Sequence, residues 1–448
     1  MPEQEIFKTI NCKQQMIIFY HFLTTLILVI FFPVIYLLKQ KDNLRGLFAL
    51  NLPYFRNCKT ARIWVHALSV GEVLSAIPLL ESLKCKYPSR EIVLSVKTIT
   101  GLEIAKNQLK TKVDYIVQMP LDFWWFIRKV IKNINPGIFL LIETDIWPGL
   151  ITTLRKLGVK TILVNGRISP KTGQAYKRWK SLIKWVFEPF QLFLMQTNID
   201  KYRMINGGIL PEKLKVTGNI KFDKKWKNLE NKDRDKLIRL FNLRNKKIWV
   251  AGSTHYPEEK IIFQVFIELI KEFSDLSLII CPREQSRFNE VFYIAGELGL
   301  NIAKKTELVR VGDFNTKNIQ ADKHEYNVFL LDTLGELAQV YDLAHIAFVG
   351  GSIVPRGGHN LLEPGFFGVP VVFGPYMYNF SDMAKKIIEY GGGRKVKDKS
   401  ELFHVMLELL RQEGERQKMG KMAKEFVLQN QGALNKVMKI IEPFIDRC

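Results

Sequence analysis

The chain predicts an α/β fold with two open, parallel-sheet domains in tandem. From about Ile63 onward, short apolar runs alternate with amphipathic segments, the pattern of strands feeding crossover helices. Charge density then rises from Lys221 to Lys247, with little aliphatic content at its start, which marks a connection between two such series. At 448 residues the chain also exceeds what one ordinary core accommodates.

In the first series the strands are Ile63–Ala67, Glu91–Val96, Tyr115–Gln118, Ile138–Ile142, Thr161–Val164 and Leu192–Met195. Their near-continuous apolar character suits a parallel sheet buried on both faces. Helical patterns lie between them, among them Glu72–Lys86, stopped by Pro88, and Gly149–Leu157. The charged connection carries one short helix. The second series reads Lys247–Ala251, Leu276–Cys281, Val328–Leu331, Ile346–Val349 and Val369–Phe373, and a long amphipathic pattern over Ser400–Arg447 closes the chain. There is no internal repeat and no low-complexity segment. Two such domains set a cleft between the C-terminal ends of their strands, where ligands of open sheets bind.

The N-terminus departs from this pattern. Met16–Leu38 is a 23-residue run without Asp, Glu, Lys or Arg. As a helix it would extend about 34 Å, enough to cross a bilayer core. It is too long for a cleaved signal peptide and no small-residue cleavage site follows. Lys39, Lys41, Arg45, Arg56, Lys59 and Arg62 follow it, against Lys8 and Lys13 before it, so the positive-inside rule puts the rest of the chain in the cytoplasm. His21, Pro33 and the threonines interrupt the run, and a helix lying in the membrane interface is the alternative.

The net charge is +22, spread along the chain with no polybasic tail. Such surfaces suit nucleic acid, anionic lipid or phosphorylated substrates, and the same charge also fits a lysine-rich background. No nucleic-acid motif or interleaved aromatic stripe accompanies it. The five cysteines form no C-x-x-C pair and fit free thiols. The seven histidines show no metal-ligand spacing.

Residues with chemical potential cluster after strands. Val349-Gly-Gly-Ser-Ile-Val-Pro-Arg-Gly-Gly-His-Asn-Leu-Leu-Glu-Pro364 follows an apolar run, and four glycines with Pro355 break the chain before His359-Asn360 opens a helical segment. A glycine-rich turn leading to a helix N-terminus presents backbone N–H groups to an anion, phosphate in particular; a ligand-free βα turn is the alternative. Glu363, one turn into that helix, is placed for sugar hydroxyls. Glu72 falls in the first turn of its helix, either as a general base or as an N-terminal cap. Glu143 ends the strand Ile138–Ile142 as a site carboxylate or a loop residue bonded to local backbone. Lys221 lies at the domain junction. Ser253-Thr254-His255, Pro282-Arg283 and Thr333-Leu-Gly-Glu336 each follow a strand of the second series, where Arg283 could clamp a phosphate.

Taken in order, these segments resemble the bacterial 3-deoxy-D-manno-octulosonic acid (Kdo) transferases of lipopolysaccharide assembly. The matching motifs are His66-Ala-Leu-Ser-Val-Gly-Glu72, Glu143-Thr-Asp-Ile-Trp-Pro148, Asn165-Gly-Arg-Ile-Ser169, Gly218-Asn-Ile-Lys-Phe-Asp223, Ala251-Gly-Ser-Thr-His255, Pro282-Arg283, Asp332-Thr-Leu-Gly-Glu336 and the glycine-rich turn through Phe373-Gly-Pro375. They are collinear over nearly the whole chain.

The resemblance implies a GT-B glycosyltransferase of two Rossmann-like domains facing a cleft, with an N-terminal membrane-anchor helix. It divides the chain into an anchor over 1–45, an acceptor-binding domain over 46–225 and a CMP-Kdo-binding domain over 226–448, whose terminal helices return to the first. It implies transfer of Kdo from CMP-Kdo to lipid IVA, inverting the anomeric centre, with no metal and no cofactor. Glu72 matches the family's catalytic base, and Glu143 and Lys221 match positions that stabilise the transition state. Pro282, Arg283, Leu334, Gly335, Glu336, Asn360, Leu361, Leu362 and Glu363 match the CMP-binding segments. The implied location is the inner membrane, with the catalytic domains on its cytoplasmic side among anionic lipids. Family members commonly carry His-Pro where this chain has Glu284-Gln285, methionine at Leu334 and alanine at Gly166. The competing readings are another GT-B enzyme, such as an epimerase or lipid A disaccharide synthase, and a non-enzymatic basic lipid-binding protein.

Overall fold

The computed structural model describes residues 15–27, 30, 46–56, 60–143, 146–224, 226–313 and 326–448. The chain divides into two compact units, Met1–Lys224 with Asn430–Cys448, and Lys225–Gln429.

The first unit is built on a seven-stranded sheet of β1 (Arg62–Ala67), β2 (Ile92–Val96), β3 (Tyr115–Gln118), β4 (Pro136–Ile142), β5 (Lys160–Gly166), β6 (Leu192–Met195) and β7 (Leu214–Val216), in the order β3-β2-β1-β4-β5-β6-β7. All pairings are parallel. Alternation along each strand feeds two cores. Ile63, Val65, Leu94, Leu140 and Ile162 pack beneath helix Val70–Lys86 and the C-terminal helix Ala433–Ile445. Trp64, Phe139, Leu141 and Phe193 pack on the other side with helices Trp124–Ile134 and Pro148–Lys156. A parallel sheet covered on both faces must read as apolar runs, which is why the five central runs were visible in the sequence, together with the edge run of β3. β7 was not: it is a three-residue edge strand with Lys215 and Val216 exposed.

The second unit repeats the plan with β8 (Lys247–Thr254), β9 (Leu276–Pro282), β10 (Ile302–Lys304), β11 (Val328–Leu330), β12 (Ile346–Val349), β13 (Val371–Phe373) and β14 (Gly393–Lys395), ordered β10-β11-β9-β8-β12-β13-β14 and parallel throughout. Its edge strands β10 and β14 are again three residues each and escaped the sequence reading. β8 runs on through Thr254, past the expected end at Ala251, by way of a bulge in which Ser253 takes φ +57°. The expected polar turn at Ser253-Thr254 is therefore strand. The Ser400–Arg447 pattern resolves into Lys399–Arg411, Glu413–Gln429 and Ala433–Ile445, the last break made at Gly432 with φ +94°.

Of the predicted anchor, residues 15–27 and 30 are helical, and the remainder of Met16–Leu38, with Lys8, Lys13, Lys39, Lys41, Arg45 and Lys59, lies outside the described residues. Among the described residues no helix is long and apolar enough to cross a membrane. The helical part docks on the first unit: the Tyr20 hydroxyl donates to the buried Asp122 carboxylate at 2.7 Å, which also accepts from the Gly149 and Leu150 N–H groups at 2.8 Å. Ile18, Phe19, Phe22 and Ile30 face outward. Arg62, counted above as a flanking charge, is instead a core residue, 4% exposed and paired with Glu91 at 2.6 Å.

Candidate functional site

In each sheet the strand order reverses direction at one point, and open α/β sheets bind ligands outside the strand ends there. In the first unit the point lies between β1 and β4, and Glu72 and Glu143 follow those two strands.

Glu72 is the third residue of helix Val70–Lys86 and is buried. Its carboxylate accepts the N–H of Leu68, the residue before the N-cap Ser69, at 2.5 Å, which ties the turn ahead of the helix to its first turn. The positive end of the helix favours its ionised form.

Glu143 stands at φ +61°. For a residue other than glycine this conformation costs roughly 1–2 kcal/mol, and such strain collects at functional sites. Among the described residues its carboxylate is bonded by side chains. Its Oε1 accepts from the Ser75 hydroxyl at 3.3 Å and from the Lys221 ammonium at 3.1 Å, while its N–H reaches Val164 O at 2.9 Å. Thr144 and Asp145 lie outside the described residues.

Lys221 occupies the 3-10 turn Ile220–Asp223, which is held from several sides. Asn165 Oδ1 accepts the Ile220 N–H at 3.1 Å, and Asn219 Oδ1 accepts that of Lys221 at 2.9 Å. The Asp223 carboxylate accepts the Gly432 and Leu434 N–H groups at 2.6 and 2.8 Å, capping the C-terminal helix. Gly218, at φ +96°, lets the chain pass Ala433, whose Cβ would lie 3.1 Å from a Cβ there. The last helix thus fixes the ammonium against Glu143. Ser75 and Asp223 had no separate signal in the sequence beyond lying near or inside the matching motifs.

In the second unit the reversal lies between β8 and β12, followed by His255 and by the glycine-rich turn. Here the sequence reading needs correction. The Gly351, Ser352 and Ile353 N–H groups do not await a phosphate. They donate to the carboxylate of Glu258 at 2.6, 2.8 and 2.8 Å, and the His255 N–H joins them at 3.0 Å. Glu258, wholly buried, is the anion of that turn.

The glycines also have steric reasons of their own. A Cβ on Gly350 would lie 2.5 Å from Ser253 O, and Gly351, Gly357 and Gly358 take positive φ. The expected helix at His359-Asn360 begins only at Leu362 and runs five residues to Phe366, with Asn360 Oδ1 accepting the Leu362 N–H at 3.1 Å.

The remaining predicted donor residues surround this turn. Pro282 ends β9, and the Arg283 N–H bonds Thr254 O at 3.0 Å. The Arg283 side chain is exposed. Leu334 is exposed and Gly335 takes φ +86°, ahead of the short helix Leu337–Tyr341.

The Glu336 carboxylate is engaged by Lys305 and Thr333. Burial would raise its pKa, but these hydrogen bonds outweigh it and hold the group below the ordinary carboxylate range.

Leu361 and Leu362 are buried, and Glu363 directs its charge toward Cys281 and Tyr341. Burial, with that charge added, pushes the Cys281 thiol up to about 12 and the Tyr341 hydroxyl well above its ordinary value. Sequence reasoning missed the hollow of about 440 Å³ at the ends of β13 and β14, lined by Phe373, Pro375, Tyr376, Tyr378, Lys385 and Lys395 among others. Among the described residues no three His, Cys, Asp or Glu side chains are grouped as metal ligands.

The family profile described as 3-deoxy-D-manno-octulosonic-acid transferase (kdotransferase) matches residues 44–224. The 3-deoxy-D-manno-octulosonic acid transferase of Haemophilus influenzae is 31% identical over 386 residues, covering 86% of this chain and 87% of its own. The chain belongs to the Kdo transferases. The Chlamydia trachomatis enzyme of the same description is 29% identical over 416 residues, 92% of each chain.

Two solved structures share the fold at low identity. A glycosyltransferase from Rickettsia africae has a TM-score of 0.53 at 14% identity, covering 87% of this chain and 100% of its own. A UDP-GlcNAc 2-epimerase from Neisseria meningitidis has a TM-score of 0.51 at 14% identity, covering 86% and 100%. This Kdo transferase is thus a glycosyltransferase with two seven-stranded α/β units of GT-B type.

One departure from the family pattern has a local cause. A Cβ on Gly166 would meet Leu163 at 2.4 Å and Met195 at 2.7 Å, so those side chains fill the space an alanine needs.

Proposed function

We propose that this Kdo transferase moves Kdo from CMP-Kdo to lipid IVA, inverting the anomeric centre without a metal. The single observation that carries the reading is the grouping at the first switch point: Glu72 after β1, and Glu143 after β4 joined to Ser75 and Lys221. Glu72 takes the proton of the attacking acceptor hydroxyl as the new glycosidic bond forms. The bond from the anomeric carbon to phosphate breaks, its electron pair leaves with CMP, and the configuration inverts. The Lys221–Glu143 pair holds a fixed ammonium at a strained backbone position, where it meets negative charge carried by Kdo in the transition state. In the other unit Arg283 binds the phosphate, and Pro282, Leu334, Gly335, Glu336 and Asn360 to Glu363 bind the rest of CMP. With Glu258 filling the glycine-rich turn, Arg283 bears more of the phosphate's charge than the turn does.

The outward apolar side chains of Ile18, Phe19, Phe22 and Ile30 and the basic surface support tethering at the cytoplasmic face of the inner membrane, among anionic lipids, where the acylated acceptor lies. The Leu68 bond favours a second role for Glu72 in tying the turn ahead of its helix, and the two roles are compatible in different steps.

Membranes containing the protein, incubated with CMP-Kdo and lipid IVA and resolved by mass spectrometry, should yield lipid IVA heavier by whole Kdo units. Unchanged lipid IVA alongside consumed CMP-Kdo would rule out this acceptor.

A further inference from the structure

His255 and His359 face each other beside Arg283, with Nε2 atoms 2.9 Å apart. Their ring planes differ by 4° and their centroids lie 5.1 Å apart, the separation of two imidazoles joined edge to edge through those nitrogens. Such a pair holds one bridging proton. One ring donates through Nε2–H, the other accepts, and both cannot be imidazolium while the bond lasts. It has room for one further proton, on an Nδ1. Gly351 supplies the space, since a Cβ there would meet His359 at 3.1 Å and His255 at 3.3 Å.

The surroundings assign that proton. His255 Nδ1 points at the Glu284 carboxylate, 3.8 Å away, and the Glu258 carboxylate fixes the His255 backbone. Against it stand Arg283, Arg287 and Arg356 around His255, and Arg283 beside His359. Burial first, and these guanidiniums second, lower both imidazoles, His359 to about 3, even against the pull of Glu284 on His255. Both shifts favour the neutral pair. An anion settling on Arg283 offsets one of these guanidiniums and adds its own negative charge to that of Glu284, so it shifts His255 toward protonation.

Resting on the donor-site reading above, we propose that His255 is a proton-coupled positioning residue for the donor phosphate: binding of CMP or its sugar conjugate at Arg283 draws one proton onto His255 Nδ1, while its Nε2–H stays bridged to His359. The added positive charge secures the phosphate, most strongly once CMP stands free as a dianion. Glu284, one of the positions where the chain departs from the family pattern, makes the coupling particular to this chain.

The sign follows from linkage. The bound pair has the higher proton affinity, so CMP binds more tightly as pH falls between the bound and free values, by up to about tenfold per pH unit. The test is calorimetric titration of the purified protein with CMP in two buffers of different ionisation enthalpy, across pH 6 to 8. CMP's own phosphate titrates there, so the reading is the difference between wild type and variants. His255→Gln keeps a polar group opposite His359 but cannot hold the extra proton. Glu284→Gln changes an exposed side chain alone. We expect proton uptake by the wild type to exceed that of His255→Gln by up to one proton per CMP, with Glu284→Gln between them. Equal uptake in all three, with Arg283→Ala still weakening CMP, overturns the proposal and leaves the donor site standing. CMP affinity unchanged by Arg283→Ala overturns the donor-site reading, and the proposal with it.

Discussion

Each unit places an acidic residue beside its switch point, Glu143 after β4 and Glu258 at the start of the helix after β8, and those acids do different work. In the first, Glu143 sits on a strained backbone, 20% exposed and paired with a lysine from the far edge of the sheet. In the second, Glu258 is wholly buried and accepts four backbone N–H groups. One carboxylate is partly exposed and held by a side-chain partner; the other is internal mortar. The lesson concerns glycine-rich turns generally. Their N–H groups bind an anion, but the anion can be the protein's own, and only a count of which groups are taken separates a ligand site from a structural one.

Breaking the internal anion should have the largest effect. Glu258→Ala leaves the N–H groups of His255, Gly351, Ser352 and Ile353 without their acceptor, and loss of a buried charged partner costs about 3–5 kcal/mol. Urea denaturation should show the loss in the unit Lys225–Gln429, and a change under about 1 kcal/mol would mean those groups have another partner. Next comes the half-buried pair of the first unit. Lys221→Met should lower the transfer rate about a hundredfold, as removing one fixed transition-state donor does, with little change in denaturation midpoint. The comparison then predicts stability loss without a specific rate defect on one side, and rate loss without instability on the other. The smallest effect should come from Asp223→Ala, which removes the cap of helix Ala433–Ile445 at about 1 kcal/mol. It should also slow transfer, because that helix steadies the Lys221 turn. A stability loss with no change in rate would detach the C-terminal helix from the site.

The central strands were legible because a sheet covered on both faces writes itself as apolar runs, as in Ile138–Ile142 and Leu276–Cys281. Strands β7, β10 and β14 were not, being three residues long at sheet edges where burial is partial. The site residues were legible as positions after strands, but their partners were not. Glu143 meets a lysine 78 residues on, Glu258 meets N–H groups more than 90 residues on, and His255 meets a histidine 104 residues on. No local period encodes such pairings; they exist only once the strand order brings the turns together. The phosphate cradle was misread for that reason, since nothing in Gly350–Gly358 announces that Glu258 fills it.

The central claim is that chemistry resides in the first unit and donor affinity in the second. It is tested most directly by measuring transfer rate and CMP affinity together for Glu72→Gln and Arg283→Ala. The account predicts that Glu72→Gln cuts the rate by about a thousandfold, within the range for a general base, and leaves CMP affinity unmoved. Arg283→Ala should weaken CMP by at least about tenfold. Wild-type transfer by Glu72→Gln, or CMP affinity that follows Glu72 and not Arg283, would contradict it.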